Sequence, residues 1–312
     1  MGWICTTHVE LAAASEMLDE EHESLPQGPN DPNIYTFGRC GSHGVVIACL
    51  PAGQRGTTSA ATVASQMWSK FTSLRFGLLV GVGGGVPTTD IRLGDVVVSQ
   101  PDGQFGGVVQ YDTGEKREDG RFLRTGSLNT PPTVLLAALQ KLKSNHQRRI
   151  NKCAEYLNLI CTKKDLGFAR PEGKDLLFRA GYKHTSGSHC EDCAMDGLVA
   201  RESREQMVIH YGTIASGNLD VRDSEIRQQL SDDLGGVLCL ETEAAGLMNS
   251  FPCLVIRGIC DYADSHKSEM WHKYAAAASA AYAKDLLTVI PALEVENTRT
   301  IGETVRTEKG GI

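Results

Sequence analysis

The segment from Phe76 to Gly85 constrains the fold of this chain more than any other segment. Residues 76–80 form an apolar run without alternation, which is typical of a strand covered on both faces. The run continues into the glycine-rich stretch GVGGG. Glycine lets backbone N–H groups approach a ligand closely, so we predict a loop in which Gly83 and Gly84 either face a ligand or make a tight structural turn. The Lys-Ser/Thr pair of a phosphate-binding P-loop does not follow.

Other patterned runs alternate between strands and helices along the chain. Strands are expected at residues 3–5, 34–38, 43–50, 95–99, 108–111, 208–214, 237–240 and 253–259. Helices are expected at residues 9–20, 132–143, 221–234 and 270–287, and from an N-cap at Thr57 or Thr58 to Phe71. This alternation predicts a three-layer α/β/α domain.

The domain is expected to span residues 1–293. Within it, residues 144–205 are polar and weakly patterned, so we interpret them as a partly helical insertion. Residues 294–312 are charged and end in glycine, which favours a linker or a disordered end.

Composition and charge exclude several classes of function. A formal net charge of -7 argues against a general nucleic-acid surface. No eighteen consecutive apolar residues occur, and no basic region opens the chain, so we expect neither a membrane span nor a signal peptide. The ten cysteines lie mostly in apolar runs and are interpreted as reduced. We therefore expect a cytoplasmic protein that acts on a small molecule.

Acidic residues follow three of the predicted strands. Glu10 comes after the first strand, Glu241 and Glu243 after a late one, and Asp261 after the next. Ligands bind outside the carboxyl ends of strands in open α/β sheets, so these carboxylates are candidates for one site. The alternative is structural: Glu241 and Glu243 stabilise a helix N-terminus, and Asp261 caps a loop.

Several motifs, taken in order, resemble the purine nucleoside and uridine phosphorylase superfamily, and most closely its nucleosidase branch and the related domains of fungal immune-receptor-like proteins. The motifs are LLVGVGGGVP with IRLGDVVVS, then YGTIASGN, then ETEAAG and RGICDYAD. The resemblance implies a mixed central sheet. It also implies that Asp261 is the acid that protonates the purine base, that Glu243 holds the ribose hydroxyls, and that Glu10 positions the attacking water.

The same resemblance implies further substrate-binding residues. Glu241 would line the pocket, and Arg257 would orient Asp261 or offset the crowding of carboxylates. Thr242 replaces the methionine that is usual between the two glutamates. Residues of the third motif complete this set: Ser216, Gly217 and Asn218.

Two departures from the family favour water over phosphate as the nucleophile. Purine phosphorylases of the family often have an Arg before the glycine stretch and a Ser within it, where this chain has Leu79 and Val82. The sequence therefore predicts a hydrolase that cleaves the N-glycosidic bond of a purine nucleoside or nucleotide, of the ATP or adenosine type, without an organic cofactor. Two alternatives stay open: a phosphate-dependent phosphorylase, and a catalytically silent nucleotide-sensing module.

A nucleotide would require cations at the mouth of the pocket. Arg55, Arg121 and Arg124 are the candidates, because guanidinium groups bind phosphate oxygens bidentately. The alternative for each is an ordinary surface arginine. The family also implies a homo-oligomer.

A metal site is considered at His189-Cys190-Glu191-Asp192-Cys193, where a C-x-x-C lies beside one histidine, and another, His184, lies five residues before His189. Zinc takes four such nitrogen and sulfur ligands. A second cysteine pair at the proper spacing is missing, so we interpret the segment as a polar loop and expect no metal.

Overall fold

A sheet of eleven strands forms the centre of the protein in the computed structural model, which describes residues 1–26, 31–173, 175–185, 190 and 193–309, with side chains to residue 306. Its strands are β1 (Gly2–Cys5), β2 (Glu20–His22), β3 (Tyr35–Cys40), β4 (His43–Cys49), β5 (Gly77–Gly85), β6 (Val96–Ser99), β7 (Val108–Gln110), β10 (Ile209–Gly212), β11 (Ile214–Ser216), β12 (Cys239–Glu241) and β13 (Cys253–Asp261). A separate hairpin consists of β8 (Gly114–Lys116) and β9 (Phe122–Arg124).

The sheet is mixed, as the family resemblance implied. The strands run in the order β10-β6-β13-β5-β1-β4-β3-β2, and β12, β11 and β7 branch from β5. β5 is parallel to both β1 and β13, whereas β12 is antiparallel to it. The carboxyl ends of β1, β5 and β13 therefore meet at one edge of the sheet.

Helices cover both faces of this sheet. They are α1 (His8–Ser15), α2 (Thr57–Lys70), α3 (Thr133–Gln147), α4 (Lys152–Cys161), α5 (Ser224–Asp233), α6 (His272–Thr288), α7 (Ala292–Asn297) and α8 (Ile301–Lys309). Helices α1, α3, α4 and α6 share one apolar cluster with the sheet, and α2 and α8 share another on the opposite face. The three-layer α/β/α architecture predicted from the alternating pattern is confirmed.

Helix α6 fixes the position of β13, the strand that carries Asp261. Its sequence is dominated by alanine, and almost all of its residues from Tyr274 to Leu287 are buried, as expected of a helix that is apolar all round. The small side chains permit close contact: a Cβ on Gly258 would lie 1.9 Å from the carbonyl oxygen of Ala275. A glycine is therefore required where the helix backbone meets the strand.

The predicted loop at the glycines after Val80 was wrong, because these residues continue strand β5. None of the glycines from Gly81 to Gly85 has a positive φ. Their backbones pair with β13 on one side and β12 on the other, and these partners keep the chain extended. The missing side chains instead make room: a Cβ on Gly81 would lie 2.5 Å from Glu10 Oε1.

Two helix boundaries also differ from the prediction. Helix α1 ends at Ser15, and residues 20–22 pair with β3 as the edge strand β2 instead of extending the helix. The N-cap of α2 is Gly56, with φ 92°, and not Thr57 or Thr58. Thr57 points elsewhere, since its N–H and hydroxyl both donate to Asn218 Oδ1.

The expected insertion and tail both contain helices that contact the core. Within residues 144–205, α4 buries Cys153, Leu157 and Ile160 in the cluster shared with α6. Residues from 294 onward, expected as a linker or disordered end, are helical in α7 and α8, and Ile301 is buried against α2. Among the described residues, no helix is both long and apolar enough to cross a membrane.

Candidate active site

A cavity of about 630 Å³ lies where the carboxyl ends of β5, β12 and β13 meet the N-termini of α1, α2 and α6. All four acidic candidates from the sequence line it: Glu10, Glu241, Glu243 and Asp261. Its size is within the range of small-molecule sites. None of the described residues that line it is Phe, Tyr or Trp, so apart from the ring of His272 a base would pack against aliphatic side chains such as Val221 and Leu240.

Glu10 is fixed at the cavity by the start of α1. It occupies the third helical position of a capping box with Thr7. Its Oε2 accepts the N–H groups of Thr6 at 2.7 Å and Thr7 at 2.9 Å, and its Oε1 accepts the N–H of Val82 at 2.9 Å. Glu10 is only 3% exposed in this arrangement. Three backbone donors hold its position and stabilise its charge.

Glu241, Glu243 and Arg257 form a buried ion cluster between the end of β12 and the middle of β13, the two strands that pair with β5 in this region. The Arg257 guanidinium donates to Glu241 Oε2, and to Glu243 Oε2 at 3.3 Å. Burial alone would lower the pKa of Arg257, but the surrounding carboxylates raise it above its ordinary value, so this side chain is a permanent cation. It offsets the crowding of carboxylates, one of the two roles predicted for it. No hydrogen bond from Arg257 to Asp261 occurs within the described part of the chain.

Glu241 also shapes the backbone beneath the site. Its carboxylate accepts the N–H groups of Glu243 at 3.1 Å and Ala244 at 3.1 and 3.2 Å, which caps the short 3-10 helix of residues 244–246. The structural alternative considered for this residue is therefore present in the fold. These bonds also fix the backbone of its neighbour Glu243.

Glu243 faces the cavity and is held from two further sides. Its Oε1 accepts the N–H of Gly56 at 3.2 Å and the hydroxyl of Thr242 at 2.6 Å. The Thr242 side chain is therefore occupied with the glutamate. Thr242 also lines the cavity itself.

Asp261 ends β13 at a distorted turn. A register shift separates it from Ile259, and Ala263 two residues later has φ 49°. Its Oδ1 accepts the N–H of Ala263 at 2.8 Å, and its Oδ2 is 3.3 Å from Lys267 Nζ. A Cβ on Gly84 would lie 2.9 Å from Oδ1, so this glycine allows the strand to pass beside the carboxylate.

The three residues of the SGN motif occupy different environments. Ser216 is fully buried and its hydroxyl accepts the N–H of Ala245 at 2.8 Å, which supports the loop after Glu241. Gly217 lies against the Tyr111 ring, 2.5 Å from where its Cβ would be. Only Asn218 lines the cavity, where it joins the start of α2 through Thr57. Gly83 and Gly84 line the cavity as well.

Of the three arginines predicted to bind phosphate, one lines the cavity and two lie outside it. Arg55 lines the cavity. Arg121 lies outside it in an exposed pair with Asp119, so its placement at the pocket mouth was wrong. Arg124 also lies outside, where it bonds to the carbonyl oxygen of Gly126. Both belong to or border the β8–β9 hairpin, which sequence patterns could not place relative to the cavity.

Three other basic residues line the cavity and were missed from the sequence. Arg222 and Lys267 both bond to Asp220, at 2.9 and 2.8 Å. Burial lowers the pKa of His272 despite the acidic side chains of Glu10 and Glu269. It begins α6, and its Nε2 has no hydrogen-bond partner among the described residues. No sequence motif marked these positions, because each depends on chain segments that are distant in sequence.

One group with metal-ligating spacing occurs in the described part of the chain, and it lies outside the cavity. It consists of His184, Cys190 and Cys193. His189, also considered as a ligand, lies outside the described residues.

Comparison with known sequences finds similarity to an NLR-like protein and, at lower identity, to nucleosidases. No family model matches it. It is 48% identical over 298 residues to a nucleotide-binding leucine-rich repeat (NLR)-like protein of Hyaloscypha variabilis, covering 93% of this chain and 29% of that protein. It is 23% identical over 286 residues to the ATP nucleosidase Cap17 of Escherichia coli, covering 89% of this chain and 49% of that protein. The chain thus spans less than half the length of either relative.

Solved structures show the same fold. Futalosine hydrolase of Helicobacter pylori matches with a TM-score of 0.60 at 17% identity, covering 92% of this chain and 96% of that chain. The 5'-methylthioadenosine/S-adenosylhomocysteine nucleosidase of Neisseria meningitidis, in complex with methylthio-immucillin-A, matches with a TM-score of 0.60 at 16% identity, covering 92% and 97%. The chain has the nucleoside phosphorylase fold in the form that these enzymes share. The fold class and the family resemblance inferred from the sequence are confirmed.

Proposed function

We propose that the protein hydrolyses the N-glycosidic bond between a purine base and its ribose. The observation that carries this proposal is that Glu10, Glu243 and Asp261 reach one cavity from three separate chain segments. Nucleosidases among the sequence relatives and structural neighbours support it. A carboxylate for water, one for the sugar and one for the base account for the whole reaction, so no organic cofactor is included.

Asp261 is assigned to the leaving base. As the bond between ribose C1′ and purine N9 breaks, its electron pair moves into the base, and a proton from the Asp261 carboxyl neutralises the ring at N7. The ammonium of Lys267, 3.3 Å away, then stabilises the carboxylate that is left. Burial alone would lower the pKa of Lys267, but Asp261 and Asp220 raise it, so this lysine stays charged. General acid catalysis of this kind typically contributes about 10²- to 10⁴-fold in rate.

Glu10 and Glu243 are assigned to the water and the ribose. Water forms the new bond to C1′ and gives up one proton to Glu10, so the products are the free base and ribose, or ribose phosphate from a nucleotide. Glu243 accepts the ribose hydroxyls in bonds that strengthen as positive charge develops on the ring. Both carboxylates are at most 3% exposed and held by backbone N–H groups, so little reorganisation is needed.

The test is release of free base from ATP, adenosine and methylthioadenosine, separated by chromatography. We expect base release by the native protein and about a 10²- to 10⁴-fold lower turnover for Asp261→Asn. Asp285→Asn is the matched control, since Asp285 is a buried aspartate like Asp261 (2% and 4% exposed) but bonds to His146 and the N–H of Cys153, away from the cavity. No base release from any purine substrate at high enzyme concentration would refute the proposal.

Phosphorolysis is the rival reaction, and Val82 argues against it. Val82 lines the cavity at the position where the resemblance implies a phosphate-binding Ser, and it offers no side-chain donor. Leu79 is fully buried in the core and does not bear on the choice, so this part of the sequence argument carries no weight. Base release in H₂¹⁸O without phosphate should place ¹⁸O in the ribose product. Strict dependence on phosphate, with ribose 1-phosphate as product, would establish the rival.

We further propose that the substrate is a nucleotide. Arg55, Arg222 and Lys267 line one cavity that also contains the three catalytic candidates, and clustered cations suit phosphate groups. Arg55→Ala should raise KM for ATP by about tenfold or more, the effect of one charge-assisted contact, while KM for adenosine changes little. Equal effects on both substrates would assign Arg55 to the ribose or to structure.

The setting of this activity is also a proposal. We propose a cytoplasmic homo-oligomer, supported by ten cysteines without a disulfide and by the exposed Leu219 at the cavity edge, which is 66% exposed. Light scattering of the purified protein tests the assembly. The NLR-like relative supports the alternative of a nucleotide-sensing module. ATP binding without turnover, unchanged in Asp261→Asn, would favour that alternative.

A further inference from the structure

The segment after Tyr182 brings two cysteines and a histidine together behind the loop that follows Asp261. The thiol sulfurs of Cys190 and Cys193 lie 3.9 and 3.3 Å from His184 Nδ1. All three potential ligand atoms lie within 4.8 Å of one another. A tetrahedral zinc ion, with bonds of about 2.0 to 2.3 Å, separates its ligand atoms by about 3.5 to 3.8 Å. The observed spacing needs only small adjustments to reach this geometry.

A fourth side chain of suitable chemistry lies beside this group. The His266 ring lies edge-on to that of His184, with 5.6 Å between centroids. The side chain of His266 is only 5% exposed, and neither ring nitrogen has a hydrogen-bond partner among the described residues; its Nδ1 is 3.6 Å from Asp264 Oδ1. Buried polar groups without partners are rare, and they often mark a missing ion or ligand.

We propose that Cys190, Cys193, His184 and His266 bind a zinc ion. Each thiol gives up its proton to solvent on binding, so two thiolates balance the charge of Zn²⁺ and the site is neutral. This inference departs from the expectation of a metal-free polar loop. That expectation required a second cysteine pair, whereas the structure supplies histidines from before and after the motif.

The role of the ion would be to join His184, Cys190 and Cys193 to the loop that follows Asp261. Two contacts of His184 already connect it to this loop: its N–H donates to Ser265 Oγ at 3.0 Å, and its ring lies edge-on to that of His266. Lys267, the next residue, reaches Asp261. A zinc ion here would therefore restrain the backbone next to Lys267 without touching the substrate.

The test measures metal content and thermal stability in the whole chain, independently of activity. Protein expressed with added zinc and purified under reducing conditions should contain about one zinc per chain, as tetrahedral Cys/His sites retain the metal. Cys190→Ser and Cys193→Ser should lose it. Cys161→Ser is the matched control, since Cys161 is also a partly buried thiol but bonds to the carbonyl oxygen of Phe168. Cobalt added to chelated native protein should give the visible absorption of a tetrahedral sulfur site, weakened in His266→Asn.

A chelator should lower Tm of the native protein and of the Cys161→Ser variant, and added zinc should restore it. This reversible shift tests the proposal even if the other cysteine variants fail to fold. Less than about a tenth of an equivalent of zinc after reconstitution would overturn the proposal. So would equal zinc content in Cys193→Ser and Cys161→Ser, or a disulfide between Cys190 and Cys193 under reducing conditions.

Discussion

Replacing Arg257 by Met tests whether one cation holds the carboxylates of the site together. Arg257 is fully buried, and its two acidic partners, Glu241 and Glu243, are 6% and 3% exposed. Removing one partner of such a buried group typically costs about 3–5 kcal/mol, because the remaining charges stay desolvated. Met preserves much of the side-chain volume, so loss of packing adds little. We therefore expect urea unfolding at pH 8 to show a free energy of unfolding lower by about 3–5 kcal/mol.

The pH dependence of this loss identifies its cause. Burial raises the pKa of Glu241 even with Arg257 present, and the pKa should rise further without it. A raised pKa in the folded state means that stability is highest at low pH and is lost as pH rises. The deficit of the variant should thus shrink between pH 8 and pH 5.5. Adding Glu241→Gln to Arg257→Met should recover part of the stability at pH 8. A deficit below about 1 kcal/mol, or one equal at both pH values, would refute the reasoning.

Two further predictions concern neighbours of the candidate acid and the start of α6. Gly84→Ala places a Cβ 2.9 Å from Asp261 Oδ1 and 2.8 Å from Ala263 Cβ, so we expect a loss of about 1–3 kcal/mol in stability and lower turnover. Gly44→Ala, with nothing within 4 Å, should change neither. Burial lowers the pKa of His272, so its contribution to stability is present above its ordinary pKa and lost as pH falls. His272→Gln should reduce the drop in unfolding free energy between pH 7.5 and pH 5; an unchanged drop would contradict this.

The architecture was predictable from the sequence because its signals are local. An apolar run without alternation marks a buried strand, and alternating strands and helices mark a layered domain. The predictions that were wrong concern segments whose structure depends on pairing partners distant in the chain. The glycines after Val80 stay extended because β12 and β13 pair with them. Residues 20–22 form a strand because the edge of β3 is free to pair. No local pattern contains this information.

The same distinction between local signals and distant partners applies to the residues of the candidate site. The position of Glu10, Glu243 and Asp261 at one cavity was predictable because each follows a strand whose end lies at one edge of the sheet. The order of the motifs also indicated these residues. Lys267 and His272 were missed since they carry no motif and reach the cavity only through the turn after β13. Arg121 and Arg124 were misplaced because an arginine-rich stretch does not indicate where a hairpin lies. The sequence therefore indicates which residues lie at strand ends more readily than it indicates where turns and hairpins lie relative to the cavity.

Glu241 lines the cavity, and its structural contacts also set the position of the residue beside it. It accepts the N–H of Glu243 and shares Arg257 with the Glu243 carboxylate. Before any ribose binds, the backbone of Glu243 is therefore held by Glu241, and its side chain is held by Arg257, which also bonds to Glu241. If Glu243 binds the ribose as proposed, a carboxylate that is already in place stabilises the transition state without a free-energy cost for reorganisation. For this reason, Glu241→Gln and Arg257→Met should both alter turnover although neither changes a group assigned to proton transfer.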